Sequence, residues 1–320
     1  MLDLALYDKI RLSARPPAQR LIAEGFLRFD YRKVDLVLEG AERLPQERVI
    51  FAMNHTDSFN YWPFQYELHR RKRGYTATWV KGKNYEHPVV SLFMRITNNI
   101  PLASRGYVIT RDFLNVVGRR PQPDEYRALR HAVDTLADDV EGVPAEVLRR
   151  GRDMLGRPFD PERESYTAAV DALMNALSER FVTLNEKALR MGLDLLVFPQ
   201  GTRSVRLSRG HVGLAQMALH LGATIVPVGC NGSDLVYSGK SLLAKPGRIV
   251  YRVGEPIPVS HWKNPPPRVP PLSRAADAYR DAYQAIVDEV MERIDDLLDE
   301  RYRFSSDRES EGTRDVDRFV

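Results

Sequence analysis

Four short islands carry the residue types that do chemistry: NHTDSFN at 54–60, IPLASRGYVITR at 100–111, FPQGTRS at 198–204 and IVPVG at 225–229. His55 suits a general base, because an unperturbed imidazole titrates at about 6.5. A hydroxyl attacking an acyl carbon needs such a base. The attack also builds an oxyanion, which needs donors held in place. Backbone N–H groups of the Gly201-Thr202 turn, or at the helix start after His55, are candidates for that task. Arg203 and Arg105 are candidates for a phosphate, since guanidinium binds phosphate oxygens in pairs; Arg111 and Lys81 follow. The bland alternatives are a structural histidine and solvated arginines. Ser58 and Ser204 are available hydroxyl nucleophiles, but the sequence contains no G-x-S-x-G elbow.

The elements that must position these residues are legible in outline. Arg48 to Met53 is an apolar strand running straight into Asn54-His55, and Asp194 to Phe198 is another running into PQGTRS. Val34–Leu38, Tyr75–Val80, Ala223–Gly229 and Arg248–Val253 complete the strand list, and Val89–Ile96 is a helix. Strands alternating with helices predict an α/β fold: a largely parallel sheet flanked by helices, with chemistry at the carboxyl ends of strands. The expected organisation is N-terminal helices over 1–33, split by Pro16 and Pro17, then a main domain over 34–262. That domain holds a helical insertion at about 115–185, with helical patches at 124–139 and 165–191. A proline-rich loop and one long helix over about 275–303 fill 263–304, and a polar, disordered tail covers 305–320. Leu21, Ile22, Phe26 and Leu27 form a stripe that either packs on the core or lies on a membrane surface.

Composition sets the limits. The chain has 320 residues, 43% hydrophobic and 28% charged, with 47 basic and 43 acidic residues giving a net charge of +4. So mild an excess argues against a nucleic-acid partner and suits anionic lipid head groups. A single cysteine, Cys230, excludes an internal disulfide and a Cys-rich zinc site and fits a reducing compartment; no Cys/His metal spacing occurs. The N-terminus lacks the continuous apolar run of a signal peptide. The uncharged stretch from His211 to Ser233 is broken by Gly213, Gly222 and Pro227. It reads as a buried helix turning into a buried strand, not a span.

In this order the four islands resemble the glycerolipid acyltransferase family, whose central member is 1-acylglycerol-3-phosphate O-acyltransferase. The resemblance covers roughly residues 34 to 259. FPQGTRS is similar to the family's FPEGTRS, Asn54-His55 to the start of its NHxxxxD box, and Pro88–Arg105 to its helix and second box with one extra residue before Arg105. IVPVG with the later YRVGEPI is similar to the fourth box and its sequel. The resemblance implies transfer of a fatty acyl group from acyl-CoA or acyl-carrier protein to a hydroxyl of a lysophospholipid, in phospholipid synthesis. His55 would be the base, and Arg105, Arg111, Gln200, Gly201, Thr202 and Arg203 would hold substrate. No cofactor or metal is implied beyond the acyl donor. The protein would sit in the cytoplasm, peripherally on the membrane face, with the membrane surface and acyl-carrier protein as partners. Tyr61, Trp62, Phe64 and Tyr66 then either pack the core or in part line an acyl-chain groove.

Two positions depart from the pattern. Asn60 stands where the family has Asp, and Gln200 where it has Glu. Asn60 can orient the imidazole but supplies no charge, and loss of the equivalent charge in a serine-protease triad costs about 10⁴ in turnover. Asp57 is either a substitute carboxylate or a helix N-cap; side chains two apart do not share a helix face. Both departures remove negative charge, which fits a more anionic substrate or two independent drifts. The competing readings are a catalytically weak or inactive lipid-binding homologue, and a transferase or hydrolase acting on a different acceptor.

Overall fold

The computed structural model describes residues 1–239 and 241–305. The expected tail lies outside them, apart from Ser305. Nine strands occur among the described residues: β1 (Val34–Glu39), β2 (Ile50–Met53), β3 (Thr76–Lys81), β4 (Asn99–Leu102), β5 (Arg152–Met154), β6 (Arg157–Phe159), β7 (Asp194–Val197), β8 (Ile225–Asn231) and β9 (Gly247–Val253). Seven form one sheet in the order β1-β9-β8-β2-β7-β3-β4. The five strands from β8 to β4 run parallel, β9 lies antiparallel to β8, and β1 is parallel to β9. β5 and β6 make a separate hairpin.

The sheet is buried on both faces, as parallel sheets are. Strand alternation sorts its side chains into two layers. Ile50, Ala52, Ala77, Leu195, Val197 and Ile225 point into one core. Phe51, Met53, Leu196, Val226 and Val228 point into the other. β2 and β7 pair as Ile50↔Leu195, Phe51↔Leu196 and Ala52↔Val197. The two strands therefore end level, and their polar continuations meet at one edge of the sheet. Asp194 pins the other end of this pair: its Oδ1 accepts the Val49 N–H at 2.9 Å, and Arg73 Nε donates to its Oδ2 at 2.8 Å.

The helices are α1 (Leu4–Asp8), α2 (Pro17–Leu21), a π-helical turn (Ile22–Leu27), α3 (Arg28–Asp30), α4 (Tyr61–Arg70), α5 (Pro88–Ile96), α6 (Arg105–Val117), α7 (Pro123–Thr135), α8 (Ala145–Arg149), α9 (Tyr166–Arg190), α10 (Gly213–Leu221), α11 (Ser233–Val236), α12 (Arg274–Asp277) and α13 (Arg280–Asp295). Within the 115–185 segment, Leu173, Leu177 and Phe181 of α9 belong to the same core as β2 and β7. Trp79 of β3 packs edge-on against Phe181 and donates to Asn185 Oδ1 at 2.6 Å. The segment is thus joined to the main core, and the buried Asp112–Arg152 pair ties its hairpin to α6.

The single helix expected over 275–303 is corrected. It is two pieces, α12 and α13, and ends at Asp295. Leu298 is still buried, but tertiary hydrogen bonds replace helical ones there. The Leu297 carbonyl accepts from Asn231 Nδ2 at 3.2 Å and from Arg252 at 3.0 Å, while the Asp299 N–H donates to Asn231 Oδ1 at 2.8 Å. Within the N-terminal stripe Leu27 is buried, whereas Leu21 is 74% exposed.

Candidate active site

His55 lies two residues past the end of β2, and Phe198 directly follows β7. Level strand ends bring them together: the imidazole stacks on the Phe198 ring with centroids 4.0 Å apart. The backbone around His55 is held from the second motif. Its N–H donates to Gln200 Oε1 at 3.2 Å, and its carbonyl accepts the Ser204 N–H at 2.9 Å. Gln200 is buried, and its amide nitrogen reaches Ser208 Oγ at 3.5 Å.

His55 Nδ1 lies 3.2 Å from Asn60 Oδ1. Asp57 does not take that place. Its Oδ1 accepts the Phe59 N–H at 2.8 Å and its Oδ2 the Thr56 hydroxyl at 2.9 Å. Nor is Asp57 the N-cap of α4, which begins at Tyr61 with Asn60 in the cap position. Asp57 instead closes the turn that follows His55, and burial pushes its pKa up.

Gly201 sits at φ +67°, with the Thr202 N–H bonded to the Gln200 carbonyl at 2.8 Å across it. That tight turn suits glycine, and a Cβ there would lie 2.8 Å from His211 Cδ2. The Gly201 N–H goes to the Phe198 carbonyl at 3.0 Å. Both amides proposed as oxyanion donors in this turn are therefore occupied within it. The exposed Arg203 donates to Ser58 Oγ and acts on His55 electrostatically, as does Lys81.

Arg105 and Arg111 point elsewhere. Arg105 pairs with Asp134 and Asp277, each at 3.2 Å, joining α6, α7 and α12. Arg111 pairs with Glu86 at 3.4 Å. Lys83 was missed by sequence reasoning: it sits in the 3₁₀ turn after β3, where burial first, then Arg203 and Arg120, lower its pKa. No motif marks it; its spacing of two from Lys81 was the one available signal. Ser204 Oγ donates to the Arg206 carbonyl at 2.6 Å, so neither proposed serine nucleophile bonds to His55.

A small apolar groove with a cavity volume of about 30 Å³, room for about one water, lies along α4, lined by Ile22, Ala23, Leu27, Tyr61, Trp62 and Phe93 among others. Tyr61, one of its lining residues, packs edge-on against Phe198 with centroids 6.4 Å apart. Of the expected aromatic cluster, Tyr61, Trp62 and Tyr66 line this groove and Phe64 is core.

Burial is the main cause that pushes the His55 pKa down to about 3; the Asn60 bond opposes it, and Arg203 and Lys81 add to it. The imidazole is neutral at physiological pH. The unfolded chain binds this proton near 6.5 and the folded chain near 3, so stability falls as pH drops through that window. Melting temperatures taken from pH 7 to pH 4 are expected to fall less steeply in His55→Gln than in wild type.

A scan of protein-family models finds no match, and a search of curated proteins finds none. Among solved structures, the chain is similar to the 1-acyl-sn-glycerophosphate (LPA) acyltransferase PlsC from Thermotoga maritima. The similarity spans 90% of this chain and 85% of that one, at 16% identity and a TM-score of 0.40.

Proposed function

We propose that this protein is an O-acyltransferase that moves a fatty acyl group from a thioester donor, acyl-CoA or acyl-carrier protein, to a hydroxyl of a lysophospholipid. One observation carries the reading: a neutral histidine, held through Nδ1 by a buried amide, sits at a sheet edge within the electrostatic reach of Arg203 and Lys81. The acceptor hydroxyl gives its proton to His55 Nε2 as its oxygen attacks the thioester carbon. Collapse of the tetrahedral oxyanion expels the thiolate, which recovers the proton from Nε2. With the Gly201 and Thr202 amides occupied, oxyanion stabilisation falls to the N–H groups of Asp57 and Ser58, in the turn after His55. The test is acyl transfer from labelled acyl-CoA to lysophosphatidic acid, in wild type beside His55→Ala.

The same reading places the protein on a bilayer surface, on the cytoplasmic face. No helix among the described residues is long and apolar enough to cross a membrane. Instead, exposed apolar side chains flank the groove: Leu21, Phe26 and Phe29 on one side, Val89, Leu92 and Ile96 on the other. Trp62 bridges the two sides, meeting Phe26 at 6.5 Å and Phe93 at 6.4 Å. Arg20, Arg28 and Arg32 beside the first group suit anionic head groups. Fully burying a large apolar side chain gives about 1.5–3 kcal/mol. The triple variant Leu21→Ser, Phe29→Ser, Val89→Ser is therefore expected to lose at least about tenfold in sedimentation with anionic vesicles. Unchanged sedimentation would remove this face from the reading.

A further inference from the structure

Asn60 is fully buried, and both ends of its amide are engaged. Nδ2 donates to the Asn54 backbone carbonyl at 2.8 Å, and Oδ1 faces His55 Nδ1 at 3.2 Å. The Asn54 carbonyl is itself anchored. Asn54 is 1% exposed and its side chain makes a two-point link to β8, accepting the Cys230 N–H at 2.7 Å and donating to the Cys230 carbonyl at 2.9 Å. Tyr251 holds the Asn60 carbonyl through its hydroxyl. The frame has no slack in which the amide could turn over.

Its orientation decides the histidine tautomer. A carbonyl oxygen only accepts, so the end of Asn60 that meets Asn54 must be the NH₂. The other end is then the oxygen, which carries no proton, so the hydrogen between it and His55 sits on Nδ1. Nε2 is left bare. A carboxylate at position 60 would still accept from Nδ1–H, but it would set an ionised oxygen against the Asn54 carbonyl with no hydrogen between them, in a buried place.

We infer that Asn60, oriented by the Asn54 carbonyl that its own side chain pins to Cys230, is a positioning residue that holds His55 with Nδ1 protonated and Nε2 free, and that a carboxylate does not fit there. Asn54 is the second positioning residue. This deepens the acyltransferase reading and rests on it for rates alone; the tautomer is measurable without any substrate. Asn60 is then no drift from the NHxxxxD pattern but a different solution, with a hydrogen bond at each end of the side chain.

The experiment is long-range ¹H–¹⁵N correlation on the full chain with labelled histidine, the His55 signals being those absent from His55→Gln. The expected wild-type result is an Nδ1–H imidazole that does not titrate between pH 5 and 8. Asn60→Leu, close in shape and lacking both polar ends, is expected to release His55 toward Nε2–H. Its kcat should fall about 10²-fold, at the low end of the effect of a positioned base, with KM little changed. Asn60→Asp is expected to transfer acyl groups no faster than wild type. An Nε2–H wild-type histidine, or Asn60→Asp faster than wild type, overturns the clamp. An Nδ1–H histidine in a protein that acylates no acceptor would leave the clamp standing and sink the acyltransferase reading instead.

Discussion

Acyl transfer to lysophosphatidic acid is expected to fall about 10⁴-fold in His55→Ala, the upper end of what a positioned general base supplies. The expectation is that large because nothing beside His55 can replace it. Asp57 has both carboxylate oxygens engaged in its own turn. Ser58 meets Arg203, and Ser204 is tied to the Arg206 carbonyl. Alanine also removes the ring that stacks on Phe198, so the melting temperature must be followed together with the rate. A folded His55→Ala that keeps its rate would exclude His55 as the base and leave a transferase whose proton goes elsewhere. A pKa of about 3 adds a second signature. The wild-type rate should show no acidic limb from His55 between pH 5 and 8, where an unperturbed histidine would impose one.

How much of this was legible in the sequence differs by element. The strands before His55 and before PQGTRS were readable, because a short apolar run ending in polar turn residues has one economical place in an α/β sheet. Their adjacency was not. It follows from β7 inserting beside β2, a pairing between residues about 145 positions apart that no local pattern encodes. β4 went unread as a strand because its four residues, Asn99 to Leu102, carry a proline and no alternation. The end of α13 was misplaced for a related reason: the apolar spacing continues to Leu298, while Asn231 and Arg252 capture the carbonyl of Leu297.

The site divides the same way. His55, Asn60, Gln200 and Arg203 come together because each follows the level end of β2 or β7. Arg105 stood beside Arg203 as a phosphate candidate, with Arg111 behind them, yet carboxylates from distant segments, Asp134, Asp277 and Glu86, hold both. Charge partners are a tertiary property, and the residue type alone does not reveal them. The amide clamp was likewise hidden. Asn60 could be seen to lack a charge, but the acceptor that gives its NH₂ a purpose is the backbone carbonyl of Asn54.

Arg203→Met is expected to raise KM for a phosphorylated acceptor about 10–100-fold, since hydrogen bonds to charged groups contribute about 1.5–3 kcal/mol. KM for an unphosphorylated acceptor such as a monoacylglycerol should change by no more than about twofold, and Arg203→Lys should recover only part of the loss, a point charge standing in for a bidentate one. The discriminating quantity is the ratio of kcat/KM for the two acceptors; if Arg203→Met leaves it unchanged, Arg203 is a solvated surface charge. The same cations act on the base. Arg203 and Lys81 both depress His55, and neither Asn60 nor Gln200 offers a negative charge to offset them. An anionic head group settling on these cations supplies that charge itself. On the proposed function, a phosphorylated acceptor bound there would offset the part of the His55 shift that comes from these cations, and an unphosphorylated one would not; burial, the main cause, would stay. In wild type the phosphorylated acceptor should lead in kcat as well as in KM, and Arg203→Met should narrow both gaps together.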